Sequence, residues 1–146
     1  MTALFFARLN PDATLPVRKH PHDAGVDVFS IENCVIFPFS SRIVGTGLTF
    51  EISEGFMLEA RPKGRHNHLI GAGIIDTGYQ GEILIKIVNY EFKFLRIKKG
   101  DPIAQLILVN IETPTLVEMD KNLIHLKESD RGGSGGIVNQ NNKRVR

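Results

Sequence analysis

Short alternating apolar segments, separated by glycine and proline, constrain the fold of this chain more than any other feature. No stretch of ten residues carries a helical stripe of apolar side chains. Many short strands joined by Gly and Pro turns are typical of a β-sandwich or barrel. The sequence therefore predicts an all-β fold, with strands in residues 4–9, 26–28, 35–39, 41–52, 56–60, 83–88, 106–109 and 115–119.

Length, charge and cysteine content narrow the class of protein. The 146 residues suffice for one domain with its own core, and a net charge of +2 predicts no strong binding to nucleic acid or membrane. The single Cys34 is expected to be a buried apolar residue in a reducing compartment. The first residues lack the basic and apolar regions of a signal peptide, and no run has the length of a membrane span. We expect an intracellular, cytoplasmic protein, with the nucleus as the alternative for a eukaryotic or viral source.

Residues 71–83, GAGIIDTGYQGEI, form the most informative stretch. Apolar residues on both sides of a glycine-rich turn predict a β-hairpin with a functional tip. Its glycines let a ligand approach the backbone, Asp76 can orient a water or hydroxyl, and Tyr79 presents a flat face to a sugar. The same residues also fit an ordinary tight turn beside a half-buried tyrosine. The pattern alone leaves both interpretations open.

Three further polar residues stand out against their surroundings. Asp27 alternates with two valines, which fits either a solvated strand acid or a site residue. Gln105 lies among apolar residues, so its amide needs a backbone or ligand partner. Arg131 lies in a glycine-rich segment that either closes over an anion or forms a flexible tail. We therefore predict a β domain over residues 1–128 and a flexible, Gly-rich and basic tail over residues 129–146.

Five stretches occur in an order that resembles the five motifs of the trimeric dUTPases: DAGVD at 23–27, RPKG at 61–64, GAGIIDTGYQG at 71–81, GDPIAQL at 100–106 and RGGSGG at 131–136. The resemblance implies a jelly-roll-like β subunit that assembles as a homotrimer with active sites at subunit interfaces. It also implies hydrolysis of dUTP to dUMP and pyrophosphate. The Mg²⁺ cofactor would be held mainly by the triphosphate, which agrees with the preference of this ion for phosphate and water ligands.

The resemblance also implies roles for the residues that would carry catalysis. Asp76 matches the acid that binds the 3′-hydroxyl and positions the attacking water. Asp27 matches the acid that organises metal-bound water, without direct metal ligation. Gln105 matches the glutamine that meets phosphate or the catalytic water.

Substrate contacts are implied in the same way. Tyr79 would pack against C2′ of the sugar and exclude a ribose hydroxyl. Backbone groups of Gly71, Gly73 and Ile75 would pair with the uracil edge. Arg131 would clamp the γ-phosphate.

The second and fifth motifs depart from the family pattern. Lys63 and Gly64 stand where an Arg-Ser pair is usual, so a serine hydroxyl and the planar guanidinium are absent there. Arg65 and the following residues are candidates for replacement phosphate contacts. Ile137 follows the last glycines in place of an aromatic residue, so it would cover the base without the stacking energy of about 1–3 kcal/mol.

Other functions remain as alternatives. A catalytically weak or inactive nucleotide-binding protein of the same fold is the first, because Gly64 and Ile137 replace family residues. An enzyme similar to the dCTP deaminases is the second, although Tyr79 argues against it. His66 and His68 share a strand face but have no evident third ligand, so a zinc site has weak support.

Overall fold

A computed structural model describes residues 3–71 and 73–127 of the chain. Within these residues it contains eleven strands and no helix, so no helix there could cross a membrane. The strands are β1 (Phe5–Arg8), β2 (Gly25–Phe29), β3 (Cys34–Ile36), β4 (Ser41–Gly45), β5 (Leu48–Glu51), β6 (Phe56–Arg61), β7 (Leu69–Ile70), β8 (Gly73–Ile75), β9 (Leu84–Val88), β10 (Leu95–Ile97) and β11 (Pro102–Asn110). The all-β prediction is confirmed.

The strands form four antiparallel sheets. The largest has the order β2-β11-β6-β8, and a three-stranded sheet has the order β4-β9-β7. Two-stranded sheets pair β1 with β5 and β10 with β3. The chain divides into two compact units between Thr113 and Pro114, and all eleven strands lie in the first unit. The boundary between residues 128 and 129 remains a prediction, since the description ends at residue 127.

The core is built from the apolar side chains that alternate along these strands. Val28, Leu58, Ile87 and Ile103 are fully buried, and each comes from a different strand. Cys34 is buried and free, as predicted, and its burial raises the pKa of the thiol. Along β9, Ile85 and Ile87 are buried and Lys86 between them is exposed, as alternation predicts, whereas β1 is exposed along its whole length.

A buried amide stabilises the end of the domain where the β3–β4 and β9–β10 loops meet. Asn89 is 1% exposed, and its Nδ2 donates to the carbonyl oxygens of Ile36, Phe37 and Lys93 at 3.2, 3.2 and 2.7 Å. Its Oδ1 accepts the Glu91 amide at 3.1 Å. This one side chain satisfies backbone groups that strand pairing leaves unpaired.

Three strand predictions need correction. Residues 37–39 form the turn after β3, because Ser40 donates back to the Phe37 carbonyl. Residues 115–119 form no strand, although their sequence alternates. The arms of the predicted hairpin pair only over residues 69–71 and 86–88, since β8 leaves β9 and joins β6.

Candidate active site

Asp27, Lys63 and Gln105 meet on the large sheet. Gln105 on β11 lies opposite Asp27 on β2 and opposite Arg61 at the end of β6. Lys63, just beyond β6, forms an ion pair with Asp27, with Nζ and Oδ1 2.5 Å apart. The Gln105 amide donates to the Pro62 carbonyl at 3.1 Å. Its partner in the free protein is therefore the backbone, which was one of the two expected alternatives.

Gly25 lies against the side chain of Gln105. A Cβ at Gly25 would collide with the Gln105 amide oxygen. The first predicted motif therefore contributes both the carboxylate of Asp27 and the close approach of its strand to β11. This approach holds the amide at the mouth of a pocket.

The pocket has a volume of about 300 Å³ and is open to solvent. It is lined by Lys19, Lys63, Gly64, Arg65 and Gln105. A turn, in which the His66 amide donates to the Lys63 carbonyl at 3.1 Å, places Gly64 and Arg65 at the rim. Sequence analysis did not single out Lys19, which lies in the irregular segment before β2.

Two histidines follow this turn. Their ring centroids are 4.6 Å apart, and His68 is buried with Nε2 3.4 Å from the Ile103 carbonyl oxygen. Burial lowers the pKa of both rings, and the His66 pKa is lowered further by His68 and Lys63. Residues 3–71 and 73–127 contain no group of three His, Cys, Asp or Glu side chains placed to hold a metal ion.

The second candidate cluster lies in the loop after β8. The Tyr79 amide donates to the Asp76 carbonyl at 3.2 Å, and Gly78 has φ 83°, which a residue with a side chain rarely adopts. The Thr77 hydroxyl anchors this turn to the Phe56 carbonyl at 2.9 Å, and the Tyr79 hydroxyl donates to the Glu82 carbonyl at 2.9 Å. Asp76 and Tyr79 therefore project from a well-fixed turn.

Backbone groups beside this turn are available to a ligand. Among the described residues, β8, with Gly73 and Ile75 at its ends, is an edge strand that pairs with β6 on one side only. An edge strand presents alternating N–H and C=O groups on its other side. The Gly71 amide, in contrast, already donates to the Lys86 carbonyl at 2.8 Å.

A second pocket, of about 530 Å³, borders the turn. Its lining consists of residues 77–80 together with β1, β5 and the residues that follow β5: Phe5, Phe6, Ala7, Thr49, Phe50, Glu51, Ile52 and Glu54. Sequence analysis did not predict this apolar wall. Its aromatic residues lie on a strand pair, β1 with β5, that only the three-dimensional structure reveals.

The two clusters are separate within one chain. Ile75 lies opposite Leu58 on β6, so Asp76 falls level with Met57, whereas Gln105 lies opposite Arg61. At about 3.3 Å per residue, Asp76 and Gln105 are offset by roughly 13 Å along the strand direction, and they also lie on opposite sides of β6. One chain therefore does not bring all three predicted catalytic residues together. Arg131 and Ile137, like Ala72, lie outside the described residues.

Comparison with known proteins identifies the family. A family model described as dUTPase matches residues 11–136. A deoxyuridine 5'-triphosphate nucleotidohydrolase of Nautilia profundicola is 31% identical over 134 residues, which are 88% of this chain and 92% of the relative. The solved structure of Staphylococcus bacteriophage 80alpha dUTPase with dUpNHpp has a TM-score of 0.82 and 28% identity, and covers 92% of this chain and 96% of its own.

A mutant dUTPase from phage phi11 of S. aureus, solved with a coordinated structural Mg(II) ion, has a TM-score of 0.77 and 27% identity. The match covers 82% of this chain and 98% of the phage chain. The family model and the curated relative each extend over most of the sequence, including both clusters. The chain belongs to the dUTPase family.

Proposed function

We propose that this protein hydrolyses dUTP to dUMP and pyrophosphate at sites that form between the subunits of a homotrimer. The separation of its two clusters carries this proposal. One cluster offers an edge strand, Asp76 and Tyr79, which suit a base and a sugar. The other offers a cationic pocket beside Asp27 and Gln105, which suits phosphates. Apposition of the first cluster of one subunit with the second cluster of its neighbour would complete the site.

The edge of β8 is suited to reading uracil. Its fixed N–H and C=O groups can pair with the uracil edge. Cytosine presents a donor where uracil presents an acceptor, so it would leave buried polar groups unpaired and bind more weakly. Close approach of the backbone would also exclude a 5-methyl group.

Tyr79 would contact the sugar, and Asp76 would bind its 3′-hydroxyl and orient the attacking water. The Tyr79 ring, held by its hydroxyl bond to Glu82, would pack against C2′ and exclude a ribose hydroxyl. The Asp76 carboxylate would bind the 3′-hydroxyl and orient the water. The water oxygen then bonds to the α-phosphorus as the bridging bond to the β-phosphate breaks, and pyrophosphate leaves.

Mg²⁺ is the expected cofactor, and a phage relative coordinates Mg(II). When bound to the triphosphate, the ion would offset the negative charge that develops on the leaving group. Asp27 lies opposite Gln105, which lines the pocket, and Lys63 already neutralises its charge. This donor set fits a metal whose ligands are mainly phosphate and water, with Asp27 acting through a water.

The outer face of the three-stranded sheet supports subunit assembly. Ile43, Leu69 and Leu84 lie on one face by register and are exposed in the isolated chain. Exposed apolar faces of this kind commonly mark protein interfaces. Such assembly fits the sites between subunits that the resemblance implies.

The first test is pyrophosphate release with Mg²⁺ from dUTP, dCTP, dTTP and UTP. We expect release from dUTP alone, and loss of at least two orders of magnitude in kcat for Asp76→Asn. Full activity of that variant would show that Asp76 does not position the water. Release from none of the four nucleotides, with dUTP still bound, would favour the second candidate, a nucleotide-binding protein that has lost turnover, which Gly64 motivates.

Subunit mixing tests where the site forms. Asp76→Asn and Gln105→Ala change different clusters, so each homotrimer should be inactive or nearly so. Unfolding and refolding the two variants together should restore part of the activity, because some sites then pair an intact Asp76 with an intact Gln105. Refolding each variant alone is the control, and the absence of any gain would place the whole site within one chain.

A further inference from the structure

Lys19 lies in a loop that is closed next to Asp27. The Val17 amide donates to the Asp27 carbonyl at 3.1 Å, and the Asp27 amide donates to the Val17 carbonyl at 2.8 Å. This isolated bridge joins the beginning and the end of residues 17–27. Lys19 is two residues from the bridge, which explains why it reaches the same pocket as Lys63 and Gln105.

Asp23 lies inside this loop, and its carboxylate already accepts a hydrogen bond from the backbone. Asp23 Oδ2 accepts the His20 amide at 3.0 Å, and the Asp23 amide donates to the His20 carbonyl at 3.0 Å. Arg18 donates to the Asp23 carbonyl. The Asp23 carboxylate therefore stabilises the turn that follows Lys19 and forms no ion pair with it.

The charges of the pocket do not balance. Of the three cationic side chains that line it, Lys63 is paired with Asp27. Lys19 and Arg65 form no ion pair with any carboxylate in residues 3–71 and 73–127. Two cations at the rim of one open pocket, without a counter-ion from the described chain, favour an anionic ligand.

We propose that Lys19 is a substrate-binding residue which, with Arg65, holds the β- and γ-phosphates of dUTP, the part of the substrate that leaves as pyrophosphate. The inference rests on the proposed function and extends it to a residue outside the five motifs. The altered second motif has lost a planar guanidinium and a hydroxyl. A lysine ammonium and the Arg65 fork supply the charge and the donors that phosphate oxygens require.

Lys19→Met is the variant that tests this assignment, because methionine keeps the length of the side chain and removes the charge. We expect inhibition by pyrophosphate to weaken about tenfold, and KM for dUTP to rise by a similar factor, since a hydrogen bond to a charged group is lost. Inhibition by dUMP should stay unchanged, because dUMP lacks the phosphates that Lys19 would contact. Lys19→Arg should retain most of the pyrophosphate affinity.

Lys93→Met is the matched control. Lys93 is an exposed lysine on the β9–β10 loop and lines neither pocket, so its variant changes net charge by the same amount. Unchanged pyrophosphate inhibition in Lys19→Met would overturn the proposal. So would equal weakening of dUMP and pyrophosphate, which would indicate a general effect on the fold or on the α-phosphate.

Binding measurements separate this inference from the proposed function. Calorimetric titration with α,β-imido-dUTP, which is not hydrolysed, reports the Lys19 contact even if the wild-type protein releases no pyrophosphate. An inactive wild type that binds the analogue about tenfold more tightly than Lys19→Met would refute hydrolysis and support Lys19. An active wild type whose affinity for the analogue equals that of Lys19→Met would support hydrolysis and refute the role of Lys19.

Discussion

Lys63 Nζ lies 2.5 Å from Asp27 Oδ1, and the two side chains are only 25% and 17% exposed. This ion pair links β2 to the segment that follows β6. In the free protein, Lys63 therefore neutralises the charge of Asp27. Incoming phosphates would compete for Lys63 and release the Asp27 carboxylate.

Breaking this pair from either side should destabilise the protein. Lys63→Met leaves a partly buried carboxylate without its partner, and we expect the free energy of unfolding to fall by about 1–3 kcal/mol. Asp27→Asn in the same background removes the unpaired charge and should recover part of that loss. Urea unfolding of the wild type, both single variants and the double variant gives the coupling energy between Lys63 and Asp27. Strictly additive effects would show that their interaction contributes nothing to the free energy of unfolding.

Gly64 stands where the resemblance to the dUTPase motifs leads us to expect a serine. A Cβ there would meet no heavy atom within 4 Å, and Gly64 is not among the glycines with positive φ. Gly64→Ser should fold normally and raise kcat for dUTP up to about tenfold, because the hydroxyl adds a hydrogen bond to charged phosphate. Gly64→Ala, which adds the Cβ alone, should give no gain. Equal rates in both variants would show that the triphosphate does not lie against this residue.

Gly81 controls the position of Tyr79. A Cβ at residue 81 would lie 2.5 Å from the tyrosine hydroxyl oxygen, so Gly81→Ala must displace the ring and break its bond to the Glu82 carbonyl. We expect the preference for dUTP over UTP, as a ratio of kcat/KM values, to fall about tenfold or more. Tyr79→Phe keeps the ring and removes only the hydroxyl, which separates ring position from hydrogen bonding. An unchanged ratio in Gly81→Ala would mean that Tyr79 is not the sugar filter.

The strands were predictable because alternation reports which side chains turn inward, but alternation does not choose a partner strand. Gly73 to Ile75 continue the pattern of the preceding arm, yet they pair with β6, where Gly73 packs closely on Ala60. A Cβ at Gly73 would lie 3.1 Å from that of Ala60, so the glycine permits the close packing. Residues 115–119 have a strand-like pattern but form no strand, because a pattern alone does not supply a partner strand for hydrogen bonding.

Candidate site residues were predictable from the sequence only where they belong to one of the five motifs. Asp27 and Gln105 were named from the sequence, and the register of β2 and β11 shows that they lie opposite each other. Lys19 was missed because its place depends on the bridge between Val17 and Asp27, a pairing that leaves no periodic trace in an irregular segment. The separation of Asp76 from Gln105 likewise follows from the register of β6.

The buried His68 and the half-buried His66 beside the pocket predict a loss of stability in mild acid. Burial holds the pKa of His68, and that of His66, below the ordinary value of 6.5. For His66, the nearby His68 and Lys63 add to this effect, while Asp27 and Asp101 oppose it. His66 Nδ1 is also buried and has no hydrogen-bond partner in the described part of the chain. Below pH 6.5 the unfolded chain therefore binds more protons than the folded protein, and protonation favours unfolding.

The free energy of unfolding should accordingly be highest above pH 6.5 and fall as pH decreases from 6.5 through the lowered pKa values. Each histidine contributes at most about 1.4 kcal/mol per pH unit in this window. In the double variant His66→Gln and His68→Gln, the amide introduced at position 68 can still donate to the Ile103 carbonyl, and the slope should be clearly smaller. Urea unfolding at fixed protein concentration between pH 5 and 8 measures the free energy of unfolding of the wild type and of the double variant. Identical slopes would show that these rings titrate alike in the folded and unfolded states, so that their burial has no effect on stability in acid.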